Sequence, residues 1–200
     1  MTRYTLAGIA RWEEEVKRSR FLAIAAPVQS SDEALTFVEA HGVPEASHNC
    51  WAYQIDSDYR FFDDGEPGGT AGKPILQAIQ GQGCDRVVVL VVRWFGGTKL
   101  GTGGLVRAYG GCAAQCLRQA RKVRIVLREQ LRVHCPFPDM DRVRSRFDDH
   151  RIELLAEDFD ERGAKWTLSV PQAGVEQFIA SFQDTTKGRG DVCRSDQASV

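Results

Sequence analysis

Two glycine-rich stretches concentrate the side chains that could do chemistry. DDGEPGGTAGKPIL, residues 63 to 76, sets Asp63, Asp64 and Glu66 on a backbone rich in glycine, with Lys73 close behind. Three carboxylates this close offer the hard oxygen donors that Mg²⁺ prefers. RWFGGTKLGTGGLVRAYGG, residues 93 to 111, repeats the theme with the opposite charge on Arg93, Lys99 and Arg107. Glycine lets a ligand or a second backbone come within contact distance, and thirteen of the nineteen glycines fall between residues 65 and 111. Gly96, Gly97, Thr98, Lys99, Gly101, Thr102, Gly103 and Gly104 are expected to lead from the end of a buried strand into a helix N-terminus. Unpaired amides and the helix dipole favour an anion there. Lys99 and Arg107 add full charges, and Thr98 and Thr102 add hydroxyl donors. The guest this set predicts is a phosphate, from RNA or a nucleotide.

The second loop matches neither the P-loop nor the dinucleotide fingerprint, and its closer analogue, at the level of fold alone, is the glycine-rich phosphate loop of small-molecule kinases. A P-loop needs lysine directly after its second glycine, where Thr102 follows Gly101. A dinucleotide fingerprint starting at Gly101 needs glycine where Val106 stands. Three readings of the acids remain open. They hold Mg²⁺ beside a bound phosphate, as in a phosphohydrolase or kinase; they pair with Lys73, Arg93, Lys99 or Arg107 and fix the two loops together; or they shape a docking surface for protein or RNA. Smaller signals are read the same way. Cys112 and Cys116 share a helix face but lack a second pair of metal ligands. His48 and Cys50 share a strand face, as a nucleophilic pair or as packed core. Trp51, Tyr53, Trp94 and Phe95 either stack bases or fill the core.

The elements that must position these residues follow from periodicity. Residues 20 to 28 read as a strand; Ser30 and Glu33 form a capping box for a helix that Gly42 closes. Residues 47 to 55 and 59 to 64 read as a hairpin, and Pro74 as the first turn of a helix. DRVVVLVVRWF, residues 85 to 95, is an unbroken β-branched run expected at the centre of a sheet. Apolar residues at 3–4 spacing predict a helix over 104 to 120, in which Gly110 and Gly111 imply a close backbone contact. Residues 123 to 135 read as one long strand, 136 to 150 as a helix, and the rest as a hairpin, a helix and a short strand near Val192. That is the βαββαβ plan of a ferredoxin-like module. The chain is therefore expected to be α+β, with one domain over 1–124, a second over 125–200, and a loose tail of about eight residues.

Composition narrows the class. With 42% hydrophobic and 26% charged residues in 200, the chain has enough apolar surface for real cores. No apolar run approaches the roughly 20 residues of a membrane span, the first residues are too acidic for a secretion signal, and a cytoplasmic location with no membrane partner is expected. The six cysteines show no CxxC and are expected as free thiols with no disulfide partner. The net charge of −1 hides an asymmetry: residues 121–150 carry eight Arg or Lys against five Asp or Glu. Arg121, Lys122, Arg124, Arg142 and Arg146 are candidate accessory phosphate contacts.

The two glycine-rich strings, with HNCWAY (48–53) and KRSRF (17–21), resemble the signature of the IMPACT/YigZ family over roughly residues 15 to 120. The resemblance implies a first domain folded like the second domain of a ribosomal small-subunit protein and domain four of the translocation elongation factor. It implies a ferredoxin-like second domain similar to domain five of that factor. It also implies a translation-linked role: eukaryotic members regulate translation through protein partners, and bacterial members are expected to bind RNA or the ribosome. It brings no established catalytic activity, metal or cofactor. The combined reading is a non-enzymatic protein that binds RNA, the ribosome or a translation factor through the basic loop. The alternatives are a Mg²⁺-dependent phosphohydrolase or kinase at the DDGEP carboxylates, and a protein-docking adaptor without RNA contact.

Overall fold

The computed structural model describes residues 3–194. The chain divides into two compact units between Ile125 and Val126. The first unit is built on a five-stranded antiparallel sheet. Its strands are β2 (Ala10–Val16), β3 (Ser19–Pro27), β4 (His48–Ile55), β5 (Asp58–Phe62) and β6 (Val87–Trp94), in the order β2-β3-β6-β4-β5. The β-branched run places β6 at the centre, where all but its last residue are buried, as its sequence demands. A short strand β1 (Tyr4–Leu6) pairs antiparallel with β7 (Lys122–Arg124) as a separate ribbon.

One face of the sheet is covered by α2 (Gly72–Gly81) and α3 (Thr102–Gln119), which bury Phe21, Ala23, Cys50, Val89 and Val91 against Ile75, Ile79, Tyr109 and Cys112. The opposite face carries α1 (Ser31–His41) over Ala26, Trp51, Tyr53, Val88 and Leu90. The hydroxyl of Ser30 accepts from the Glu33 amide and the Glu33 carboxylate accepts from the amide of Gln29, one residue before the cap. A Cβ at Gly110 would lie 3.4 Å from the ring of Pro74. That is the close helix–helix approach that the paired glycines imply.

The second unit has β8 (Arg128–Pro136), α4 (Met140–Arg144), β9 (Glu153–Phe159), β10 (Gly163–Pro171), α5 (Val175–Thr186) and β11 (Asp191–Arg194), with the antiparallel order β11-β8-β10-β9. This is the β-α-β-β-α-β plan. Leu131, Val133, Trp166, Leu168 and Phe178 form its core.

Two expectations are corrected, and two strands were not foreseen. The stretch 123–135 is two strands, β7 and β8, because the chain changes unit between them. The helix expected over 136–150 is a 3₁₀ turn followed by five α-helical residues. Strand β2 was hidden by the acidic run Glu13–Glu15, which masks the alternation of Trp12, Glu14 and Val16 toward the core, and β1 has only three residues, too few for a period to show. The tail predicted for the last residues lies outside the described residues from 195 onward.

Candidate anion-recognition site

Glu66 is the acid that joins the two glycine-rich loops. Its Oε1 accepts from Arg93 Nη1 at 2.5 Å and from the Tyr109 hydroxyl at 2.7 Å, and His48 Nε2 lies 3.7 Å away. The Glu66 and Arg93 side chains are 4% and 6% exposed, so the pair is a buried ion pair rather than a surface contact. Arg93 Nη2 donates to Ser19 Oγ, and the guanidinium sits between the rings of Phe21 and Phe95, 5.5 and 5.6 Å from their centroids. Arg93 is therefore corrected: the sequence placed it among the phosphate contacts, but burial and Glu66 leave it none of the exposure an outside phosphate needs.

Asp63 and Asp64 serve the backbone. Asp63 Oδ1 accepts from the amides of Ala71 and Gly72 and its Oδ2 from Gly69, which seals the start of α2. Asp64 Oδ2 accepts from the Asn49 amide at 2.6 Å, while its carbonyl accepts from His48 Nδ1. Gly72 packs against the backbone of Phe62, where a Cβ would overlap it. Lys73 is exposed on α2 and makes no ion pair among the described residues, so it does not partner the acids. No group of three His, Cys, Asp or Glu side chains converges as a metal site among the described residues. The three carboxylates do not converge on one point: four amides take up both oxygens of Asp63 and Oδ2 of Asp64, and a guanidinium and a phenol take up Oε1 of Glu66. Cys50 donates to the Asp63 carbonyl and is fully buried, and burial pushes its thiol up to about 12. It is packed core rather than a nucleophile.

The second loop is open where the first is closed. α3 starts at Thr102 with Gly101 (φ 72°) as its N-cap, with no side-chain cap and no acid in its first turn. Gly97, Thr98, Lys99, Gly101, Thr102, Gly103 and Arg107 are exposed, and Gly104 is half-buried against Leu100. The site's floor is fixed at Gly96: its amide donates to Ser19 Oγ, and a Cβ there would overlap the carbonyl of Arg18. This contact brings in two residues that sequence reasoning did not assign, Lys17 and Arg18. They form the β2–β3 turn with φ of 47° and 67°, and both are exposed. Their signal was the KRSRF segment, whose nearness to Gly96 is purely tertiary. Among the described residues none of Lys17, Arg18, Lys99 and Arg107 makes an ion pair.

The accessory cations are mostly spoken for. Lys122 Nζ is bound by the carbonyl and side chain of Gln82, Arg142 by the fully buried Asp139, and Arg146 by Ser181. Arg121 and Arg124 are exposed in the first unit, whereas Arg142 and Arg146 belong to the second. A cavity of about 370 Å³ lies far from these loops in sequence, on the second unit's sheet, beside Arg132, His134, Lys165 and Cys193. His134 and Lys165 are both engaged by Asp160 there.

The Impact N-terminal domain model matches residues 17–117, which hold every element of this site, and a domain of unknown function (DUF1949) matches residues 133–189. The chain belongs to the IMPACT family. This IMPACT family member is 47% identical to a Thermus thermophilus "IMPACT family member in pol 5'region" over 87% of its length and 97% of that protein. It is 34% identical to the Escherichia coli "IMPACT family member YigZ" over 88% of its length and 89% of that protein. A solved structure described as that of a hypothetical protein is 30% identical, superposes with a TM-score of 0.70, and is covered over 98% of both chains.

Proposed function

We propose that this IMPACT family member is a translation-linked binding protein that engages RNA, free or in the ribosome, through the 97–104 loop, the start of α3 and the cations around it. Family membership supports a translation-related regulatory role in general. The observation that carries the RNA reading is the contrast between two helix starts in one domain. Neither helix has a side-chain cap of its own or an acid in its first turn. But Asp63 reaches from the preceding loop to accept from the Ala71 and Gly72 amides at the start of α2, and no such acceptor meets the first amides of α3 among the described residues. Unsatisfied N-terminal amides carry about half a positive charge, and Lys17, Arg18, Lys99 and Arg107 reinforce it. A repeating anion such as an RNA backbone satisfies both features. Nothing in this arrangement requires catalysis or a cofactor.

The test is binding to single-stranded RNA as a function of salt. Each phosphate contact contributes about 0.7 to the slope of log affinity against log salt. Lys99→Ala with Arg107→Ala is expected to weaken binding and reduce that slope by about 1.4. Unchanged affinity and slope in the folded double variant would refute the site. Loss of ribosome co-sedimentation after nuclease treatment supports RNA contact, whereas nuclease-resistant co-sedimentation points to protein docking. Phosphoester turnover that requires Mg²⁺ and is abolished by Asp64→Asn would favour the enzymatic alternative.

A further inference from the structure

Of the four aromatic residues whose types suit base stacking, the fold makes two unavailable. Trp51 and Tyr53 are buried, and Trp94 is half-covered by the Arg20 guanidinium 4.4 Å above its ring. Phe95 is different. It is 48% exposed and is the residue directly before the glycine loop.

The mounting of Phe95 is rigid. Its amide donates to Ser47 Oγ at 2.9 Å, and the next amide, Gly96, donates to the buried Ser19 Oγ at 3.2 Å. The Arg93 guanidinium is fixed by Glu66 and Ser19 and lies over the rings of both Phe95 and Phe21. Arg93 Nε is the one buried side-chain polar atom without a hydrogen-bond partner among the described residues. An aromatic ring held this firmly, with so much of it left in solvent, gains little for the fold. It directly precedes Gly96, which packs on the Arg18 backbone, and the loop that carries Lys99 into the open start of α3, so the ligand chemistry it fits combines a flat apolar group with a phosphate.

We propose that the site selects single-stranded RNA, with one base stacked on the exposed side of Phe95 while the adjoining phosphates lie on the 97–104 loop and its cations. This rests on the RNA reading above and adds the strandedness of the ligand. A base inside a duplex is already stacked on its neighbours and presents only backbone to such a site, whereas an unpaired base is free to turn onto the ring. The ring contributes contact without hydrogen-bond readout, so recognition tolerates different bases.

The experiment measures anisotropy of a labelled RNA of about 12 nucleotides, as a single strand and as a perfect duplex, against the full chain at several salt concentrations. Phe95→Ala is expected to weaken single-strand binding about tenfold, with the salt slope and duplex binding unchanged. Phe95→Leu keeps an apolar cover over Arg93 and is expected to show the same selective loss, while Phe95→Trp retains the affinity. Near-ultraviolet circular dichroism checks each variant's fold, and Phe95→Leu decides the outcome if Phe95→Ala unfolds. Equal losses on single strand and duplex, or full affinity in Phe95→Leu, overturn the stacking proposal while leaving the phosphate site standing. Wild-type protein without salt-dependent RNA binding overturns both.

Discussion

Removing the carboxylate of Glu66 is the most direct challenge to the view that the acidic loop is architecture. Its Oε1 holds Arg93 and Tyr109 in a region where both charged side chains are almost wholly buried. In Glu66→Ala the guanidinium keeps only Ser19 Oγ and two aromatic faces, while the Tyr109 hydroxyl is orphaned. Breaking a buried pair from one side costs about 3–5 kcal/mol, and an orphaned buried hydroxyl adds about 1–3 kcal/mol. Water admitted through the vacated space offsets part of this, so a loss of about 4 kcal/mol is expected. That is a large share of the roughly 5–15 kcal/mol by which a domain is stable. Glu66→Ala/Arg93→Met removes both charges and is expected to be more stable than Glu66→Ala alone, because no uncompensated cation remains. Urea unfolding followed by tryptophan fluorescence reads this, since Trp12, Trp51 and Trp94 all lie in the first unit. A Glu66→Ala midpoint within about 1 kcal/mol of wild type, or a double variant less stable than both singles, would refute the reasoning. The carboxylate would then have to be assigned a task outside the fold.

Two further outcomes follow from burial and close approach. Five of the six thiols are buried and Cys193 is exposed, so an aromatic disulfide reagent is expected to titrate one thiol in the native protein and six in denaturant. Burial raises Cys50 to about 12 and Cys116 to about 11 in the folded state. Their stabilising contribution is complete below the ordinary thiol value near 9 and is lost as pH rises from there toward those folded values. The cost is on the order of 1 kcal/mol per thiol per pH unit, and Cys50→Ala is expected to flatten the decline; an unchanged slope counts against it. Gly96→Ala places a methyl group on the Arg18 carbonyl and is expected to cost about 1–3 kcal/mol while displacing Lys17 and Arg18 and weakening RNA binding. Gly103→Ala, which meets nothing, is expected to leave the fold intact. Equal stability of the two variants would contradict the packing.

Local patterns carried most of the fold. The β-branched run 87–92 could be little else than a central strand, and the 3–4 spacing from Leu105 to Leu117 specified α3 although its first turn begins two residues early. Patterns failed where tertiary context decides. No Gly, Pro or Asn interrupts 123–135, so it looked like one strand although a domain boundary was expected after residue 124 and the chain changes unit after Ile125. The candidate site divided along the same line. An exposed basic loop entering a helix was legible because its parts are neighbours in sequence. The partners of the acids were not, because Glu66 had four cations to choose from and only the fold brings Arg93 to it across 27 positions. Asp63 was read as a possible metal ligand because a cap whose amides lie six to nine residues downstream has no short-range signature. Arg18 meets Gly96 across 78 positions because β3 and β6 are paired neighbours in the sheet, where spacing along the sequence is silent.

The ribbon of β1 and β7 joins residues about 120 positions apart, Tyr4 opposite Arg124, with Ile125 also donating to the carbonyl of Arg3. Such a closure carries a chain-entropy cost that only grows with the length enclosed. During synthesis β1 must wait for β7 until residue 124 has been made. A chain stopped before residue 122 keeps the Tyr4–Cys84 bridge but leaves the β7-facing edge of β1 unpaired, and a bare strand edge is a template for wrong partners.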